Sequence, residues 1–417
     1  MPLLLMWVKT VDIQKIFDKI PMPKEYYYNG NRMYYDSYRK MLLPATPEEK
    51  VRQKTAVYLE KYLNVPHNCL GTEVHLHHYE GITENGRIDI TIDTFDENSL
   101  RTTIAVVECK AENIPLTDQV IEQAFGYADT ILCDYVIVTN GIELLQFKYD
   151  IDKESYIMNA DIANYEMMLR HFGKPCDITY TFERRSIKEL FDVNYIKQYG
   201  IDNGYITADT PEMIIPYIAN IYDALIDTSH NIPHSKNKFF EIIEDLGLSF
   251  LGYGDASGDT FGTGIYRSFL INDYKKGHRI INLGIMATGK SVNDPRYGTR
   301  NALSVLVVSV RDGENDEMAV QINLNKFLIA KEKTFYLTHN GAVSRKGARA
   351  TEVKRRTHEV NNDMIKNDSI FLGECRGDRL LYVDTPEFSE MLNNTILYAL
   401  IRDEYKTELS EKRRMHS

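Results

Sequence analysis

A chain of 417 residues has room for two or three domains of ordinary size. It is 43% hydrophobic and 26% charged, without a low-complexity tract, which excludes a disordered or fibrous protein. A formal net charge of -11 excludes a chain-wide attraction to nucleic acid, so any surface for a polyanion must be local.

In chain order, the apolar run from Met1 to Val8 is too short to span a bilayer and lacks a basic leader, so it is expected to be packed structure. Residues 1–43 read as an extension rich in aromatics (Tyr26, Tyr27, Tyr28, Tyr34, Tyr35, Tyr38) interleaved with Arg32, Arg39 and Lys40. Such tyrosines either stack on bases or pack the extension against its own domain or a second subunit. Residues 44–150 predict a helix at 49–63, strands near 72–79, 87–93 and 103–109, a helix at 117–132, and strands at 134–139 and 142–148. Residues 151–250 predict a helical connector, with periodic stretches at 186–199, 211–227 and 236–246. Residues 251–417 change to alternating or apolar strands at 263–271, 278–287, 302–311, 317–324 and 333–338, and end in a helix at 387–409. The five cysteines (69, 109, 133, 176, 375) include no Cys-x-x-Cys pair, so neither a zinc ribbon nor a disulfide framework is indicated, and a reducing cytoplasm is the expected compartment.

The chemistry concentrates in the second segment. The run from Arg87 to Asp93 alternates polar and apolar side chains, and Thr103–Val107 is an apolar strand that ends in Glu108-Cys109-Lys110. The turn-rich stretch Asp96–Ser99 joins the two runs as an antiparallel hairpin, so Asp89 meets Glu108 and Lys110, which share one strand face. Two carboxylates suit a hard divalent cation whose remaining shell is water and substrate phosphate. A lysine beside them orients the attacking water and offsets charge on phosphorus. Spacing alone is weak: Glu-x-Lys recurs at Glu48/Lys50, Glu352/Lys354 and Glu404/Lys406. Context separates Glu108/Lys110, because a carboxylate strand precedes it and a helix with Gln123 and Tyr127 on one face follows.

Arg87-Ile88-Asp89, Val106-Val107-Glu108-Cys109-Lys110-Ala111, Gln123-Ala124-Phe125-Gly126-Tyr127-Ala128 and Val136-Ile137-Val138-Thr139-Asn140-Gly141 together resemble the N-terminal nuclease domain of type I restriction enzyme R subunits, a branch of the PD-(D/E)XK superfamily. The resemblance covers about residues 44–150 and takes in Pro47-Glu48-Glu49-Lys50, whose second glutamate falls where such nucleases often carry a helix-borne acid. It implies Asp89, Glu108 and Glu49 as metal ligands, Lys110 as the catalytic lysine, and Gln123 with Tyr127 as an accessory catalytic pair. Ile88 stands where the superfamily has proline, and the helicase motor of R subunits is missing.

Three other features carry competing readings. Gly284-Ile285-Met286-Ala287-Thr288-Gly289-Lys290-Ser291 matches the P-loop pattern, but Pro295 and Gly298 oppose the helix that must follow the lysine, so nucleotide binding is not expected. His75 and His77 share a strand face but have no third ligand at readable spacing. Arg345, Lys346, Arg349, Lys354, Arg355 and Arg356 put six positive charges against one negative within twelve residues, and the small residues among them suit a loop lying along a phosphate backbone.

The expectation is therefore an α+β multidomain chain: a PD-(D/E)XK (restriction-endonuclease-like) α/β core with a mixed sheet, a helical connector and a mostly β C-terminal domain. Its expected activity is Mg2+-dependent endonucleolytic hydrolysis of DNA, with Mn2+ able to substitute, as a motor-free restriction or anti-phage defence effector in the cytoplasm. No membrane and no ATP are expected as partners, and self-association is left open. The alternatives are a catalytically degenerate nucleic-acid-binding or assembly protein and an RNA or single-strand nuclease.

Overall fold

Thr46 and Pro47 start the first long helix for reasons local to the sequence. In a computed structural model of the protein, which describes residues 11–96, 100–171, 182–253, 264–295, 298–312 and 315–415, helix α1 spans Pro47–Tyr62. The Thr46 hydroxyl accepts the Glu49 N–H at 3.1 Å, and Pro47 occupies the first turn, where its missing N–H costs nothing. The stretches Met1–Val8 and Glu97–Ser99 lie outside the described residues.

The chain divides into two compact units, residues 1–26 with 31–180 and residues 27–30 with 181–417. In the first, β1 (Leu70–His75), β2 (Arg87–Phe95), β3 (Arg101–Cys109), β4 (Tyr135–Thr139) and β5 (Glu143–Asp150) lie side by side in that order. Val11–Asp12 and β6 (Ser155–Met158) both pair with the far side of β5. The sheet is mixed: β3 and β4 are parallel and the other neighbours antiparallel. Parallel neighbours need a crossover, which α2 (Asp118–Ile131) supplies. Successive residues of β3 serve different cores. Val107 joins Val51, Ala56 and Leu59 of α1 with Ile90, Ile92 and Ile137, and Val106 joins Ile121, Ala124 and Ala128 of α2 with Val136 and Val138. Each such aliphatic side chain contributes about 1.5–3 kcal/mol on burial. The expected aromatic extension is part of folded structure, with strands Glu25–Tyr28, Asn31–Asp36 and Met41–Pro44 and with Tyr34 buried.

In the second unit, helices α3 (Val193–Asp202) and α4 (Ile215–Ile226) precede an antiparallel meander of β7 (Phe240–Leu251), β8 (Gly264–Asp273), β9 (Gly277–Ala287), β10 (Ser304–Asp312) and β11 (Asn315–Asn323). Leu328–Lys331, β12 (Thr334–His339), β13 (Ser369–Arg376) and Ile365–Lys366 make a second sheet; α5 (Ala350–Val360) lies between β12 and Ile365–Lys366 in sequence, and α6 (Pro386–Arg414) follows β13. Every residue of α4 is buried. One apolar core joins α4, the meander, the second sheet and α6.

Residues 236–246, expected as a helix, run instead into β7, so the 151–250 segment is not helical throughout. Two register shifts, at Ile242/Glu244 and Asp245/Gly247, interrupt the two-residue alternation, and Gly247 takes a positive φ of 71°. A bulged strand spaces its apolar residues irregularly, and over one turn that spacing imitates a helix. Among the described residues no helix is long and apolar enough to cross a membrane.

Arg267, 1% exposed, ties the meander to the end of α4. Its Nη2 lies 2.5 Å from Asp245 Oδ2, Nη1 donates to the Asp227 carbonyl at 3.0 Å, and Nη2 donates to the His230 carbonyl at 2.7 Å. Arg267→Ala should cost about 3–5 kcal/mol in chemical denaturation, because Asp245 is left as a buried unpaired carboxylate. Adding Asp245→Leu should restore part of that loss; equal stability of Arg267→Ala and the parent would refute the role.

Candidate active site

Strands β2 and β3 bring the two carboxylates together by register. Ile90 opposes Val107, so one step further along the antiparallel ladder Asp89 faces Glu108. Asp89 Oδ2 accepts the Cys109 N–H at 2.7 Å. Glu108, 3% exposed, accepts through Oε1 from Lys110 Nζ at 2.6 Å and from Gln123 Nε2 at 3.0 Å. Tyr127, one turn after Gln123 on α2, places its hydroxyl 3.4 Å from the same amide nitrogen. All five residues singled out in the sequence for catalysis therefore meet at one place. The parallel partner β4 fixes the strand end beyond Glu108, since the Lys110 N–H donates to the Thr139 carbonyl at 2.9 Å.

Burial first, and then the facing Glu108 carboxylate, push Asp89 up to about 8, against the Cys109 hydrogen bond. Glu108 is raised as well: burial dominates, Lys110 opposes it, and Glu48 and Glu73 add to it. Burial disfavours the charged form of Lys110, yet Glu108, Glu48 and Asp89 more than offset that and hold it protonated above its ordinary value. The pair is therefore a buried acidic cluster short of positive charge, with Lys110 as its one described ammonium contact.

The donor chemistry fits a hard divalent cation. Each carboxylate has one oxygen held by hydrogen-bond donors, Oδ2 of Asp89 by the Cys109 N–H and Oε1 of Glu108 by Lys110 and Gln123. Among the described residues Oδ1 and Oε2 have no such donor, and a cation between them would relieve the repulsion that raises both groups. No three His, Cys, Asp or Glu side chains among the described residues form a metal-holding group, so the fit rests on this pair with water and phosphate completing the shell.

Glu49 does not reach the pair. Its carboxylate accepts from Arg52 Nη2 at 2.6 Å, Arg52 Nε at 2.8 Å and Gln53 Nε2 at 2.7 Å. Arg52, 2% exposed, also contacts Asp36 at 2.7 Å, making a buried network that pins α1. The acid that faces the site is Glu48, 3.8 Å from Lys110 Nζ. Neighbouring helix positions differ by about 100°, and the run Glu48-Glu49 does not reveal the helix phase. Arg52, three residues after Glu49, was the available signal for an ion pair. Glu73 is a further acid that the sequence reading missed. It opposes Asp89 on β1, takes a positive φ of 54°, and meets Arg87 Nε at 2.5 Å.

The other candidates separate. His75, His77 and His78 lie with ring centroids 4.5–5.7 Å apart, but without a metal-holding group as noted. After β9 the chain from Ser291 to Asp294 is extended, not helical, and Lys290 lies 3.6 Å from Asp209. The basic segment, expected as a loop, becomes helix α5 from Ala350. Arg355 pairs with Glu352 and Glu359, Arg356 with Glu352 and Glu408, and Lys354 with Asp368. Glu359, Asp368 and Glu408 lie outside the twelve-residue window, so the charges of Lys354, Arg355 and Arg356 are matched by acids that the window does not contain. Arg345 and Lys346 precede the helix, and Arg349 is its cap.

Residues 47–162 match the family model for the N terminus of the type I restriction enzyme R protein (HSDR_N). That segment contains α1, the five central strands and all of the residues gathered around Asp89 and Glu108. No curated protein and no solved structure matches the chain.

Because folding favours protonated Asp89, its ionisation costs stability as pH climbs from the ordinary carboxylate range to about 8. Asp89→Asn keeps an acceptor for the Cys109 N–H and removes that cost. In metal-free buffer the variant should be more stable than the parent by roughly 1–2 kcal/mol above about pH 8 and should converge with it below about pH 4. A pH-independent difference would refute the assigned cause.

Proposed function

We propose that the first unit is a PD-(D/E)XK nuclease domain and that the protein is a Mg2+-dependent DNA endonuclease, a restriction or anti-phage effector. The observation that carries the reading is the convergence of Lys110 and Gln123 on one oxygen of Glu108, with Asp89 opposite, inside the segment that matches the restriction-enzyme family. Asp89 and Glu108 would hold the cation, and when bound it supplies Lewis-acid polarisation of the phosphate and lowers the pKa of water.

The chain's own groups do the rest. The Cys109 N–H fixes the Asp89 carboxylate, and Gln123 and Lys110 fix Glu108, so neither acid rotates away from the other. Lys110, held protonated, places an ammonium beside the phosphate and offsets the negative charge that grows on its oxygens as water attacks. A protonated lysine is not a base, so its part is electrostatic and orienting. Tyr127 steadies the Gln123 amide. Glu48 lies at the outer side of Lys110 and is assigned here to orient it, in place of Glu49.

Asp89→Ala, Glu108→Ala and Lys110→Ala should each abolish Mg2+-dependent nicking or linearisation of plasmid while leaving the circular dichroism spectrum unchanged. Gln123→Ala and Tyr127→Phe should slow cleavage by roughly tenfold, as expected of groups that position a ligand. Wild-type cleavage by Glu108→Ala would falsify the assignment. The two neighbouring glutamates give a separate test. Glu48→Gln should reduce turnover and leave stability alone, whereas Glu49→Gln should lower stability by about 1–3 kcal/mol through the Arg52 network; the reverse pattern would restore Glu49 to the site.

A further inference from the structure

One cleft of the second unit lies where the C-terminal part of β11, the end of β12 and α6 come together. It has a volume of about 690 Å³, within the range of about 300–1,000 Å³ typical of ligand sites. Its lining is one-sided in charge. Lys326, Arg345, Arg402 and Lys406 contribute to it, and none of its described lining residues is acidic, in a protein whose net charge is -11. Arg402, 5% exposed, is oriented by the carbonyls of Ala319 and Ala342 and by the Tyr398 hydroxyl. Lys406 donates to the Met318 carbonyl and Arg345 to the Ser410 hydroxyl. The three oxygens that Arg402 meets orient it without cancelling its charge. The contrast with α5 is direct, since Arg355 and Arg356 spend their charge on carboxylates.

Two further observations point to more than a simple anion. Asn323 carries a buried side-chain oxygen without a hydrogen-bond partner, an acceptor that a phosphate cannot satisfy but an N–H group can. Beside it, Gln321 and Asn340 add side-chain amides, and Phe327 offers a ring whose centroid is 4.9 Å from that of His339. His339 accepts the Gly341 N–H at Nδ1, 3.1 Å away, which assigns its proton to Nε2. Burial, then Arg402 and Lys326, push it down to about 3, so it stays a neutral donor in a positive field.

We propose that this cleft binds one nucleotide unit, its phosphate met by the cations and its base edge by the Gln321, Asn323 and Asn340 amides. Amide readout of a base edge and an aromatic surface beside it are the means by which proteins hold a single unstacked base. The unit is supplied either as a free 5′-mononucleotide or by a DNA strand. The inference deepens the nuclease reading by naming what the second unit takes, and rests on it only in the choice of deoxyribonucleotides as probes.

The test uses the full-length Glu108→Ala protein, so that binding is read without cleavage. Titration calorimetry with the four deoxynucleoside 5′-monophosphates addresses the free source, and fluorescence anisotropy with a labelled single-stranded oligonucleotide and a labelled duplex addresses the strand. Inorganic phosphate serves as the control. Saturable binding in either arm that exceeds phosphate binding, and that Lys326→Glu and Asn323→Leu each weaken by about tenfold or more, is the expected result. Binding by the monophosphates identifies the free source, and binding by the oligonucleotides alone identifies the strand. Failure of both arms, or variants that bind like the parent, overturns the proposal. Plasmid cleavage by the otherwise wild-type protein is scored separately, so a loss of this cleft and a loss of the nuclease reading give different patterns.

Discussion

Two carboxylates facing each other across an antiparallel ladder, with little water between them, are costly to ionise together. Much of the first unit is arranged around that cost. Asp89 is held by a backbone N–H from the very strand that carries Glu108, so its position follows from sheet register and not from a flexible loop. Lys110 and Gln123 neutralise and orient one oxygen of Glu108 from two different elements, the end of β3 and the middle of α2. The parallel pairing of β3 with β4 forces a crossover between them, and that crossover is the helix that brings Gln123 and Tyr127 to the site. The chemistry and the topology thus share one cause.

The buried Arg52 network meets the same problem differently. Here a guanidinium, 2% exposed, donates through Nε and Nη2 to Glu49 and through Nη2 to Asp36, and the charges serve structure. Around Asp89 the compensation is incomplete, with one ammonium for two facing acids and with Glu48 and Glu73 close by. Paired buried charges are costly to break and so hold α1 in place; a local deficit of positive charge is what a site needs if it is to take up a cation.

The strand pair and its acids were legible in the sequence because each depends on short-range pattern. The strand at 87–93, the apolar run before Glu108 and the i, i+4 spacing of Gln123 and Tyr127 all survive into the structure, although the alternation gives way to continuous burial from Ile90 to Asp93. What could not be read required knowledge of neighbours distant in sequence. Glu48 and Glu49 differ only in helix phase, which is settled by Asp36 and by the packing of α1. The basic run at 345–356 looked like a phosphate-binding loop until Asp368, Glu359 and Glu408 came within reach of it. The bulges of β7 hid a strand behind a helical spacing. In the second unit the cleft between β11, β12 and α6 gathers Lys326, Arg345 and the α6 pair Arg402 and Lys406 from three separate stretches, and none of these stretches marks the others in the sequence.

The central claim is that Asp89 and Glu108 share one divalent cation. Titrating Mn2+ into the purified protein and counting bound ions by electron paramagnetic resonance addresses it without reference to substrate or cleavage. The account predicts a specific Mn2+ site in the parent protein that is lost in Asp89→Asn and in Glu108→Gln and retained in Glu49→Gln. Equal Mn2+ binding by the parent and by the Asp89 and Glu108 variants would contradict it.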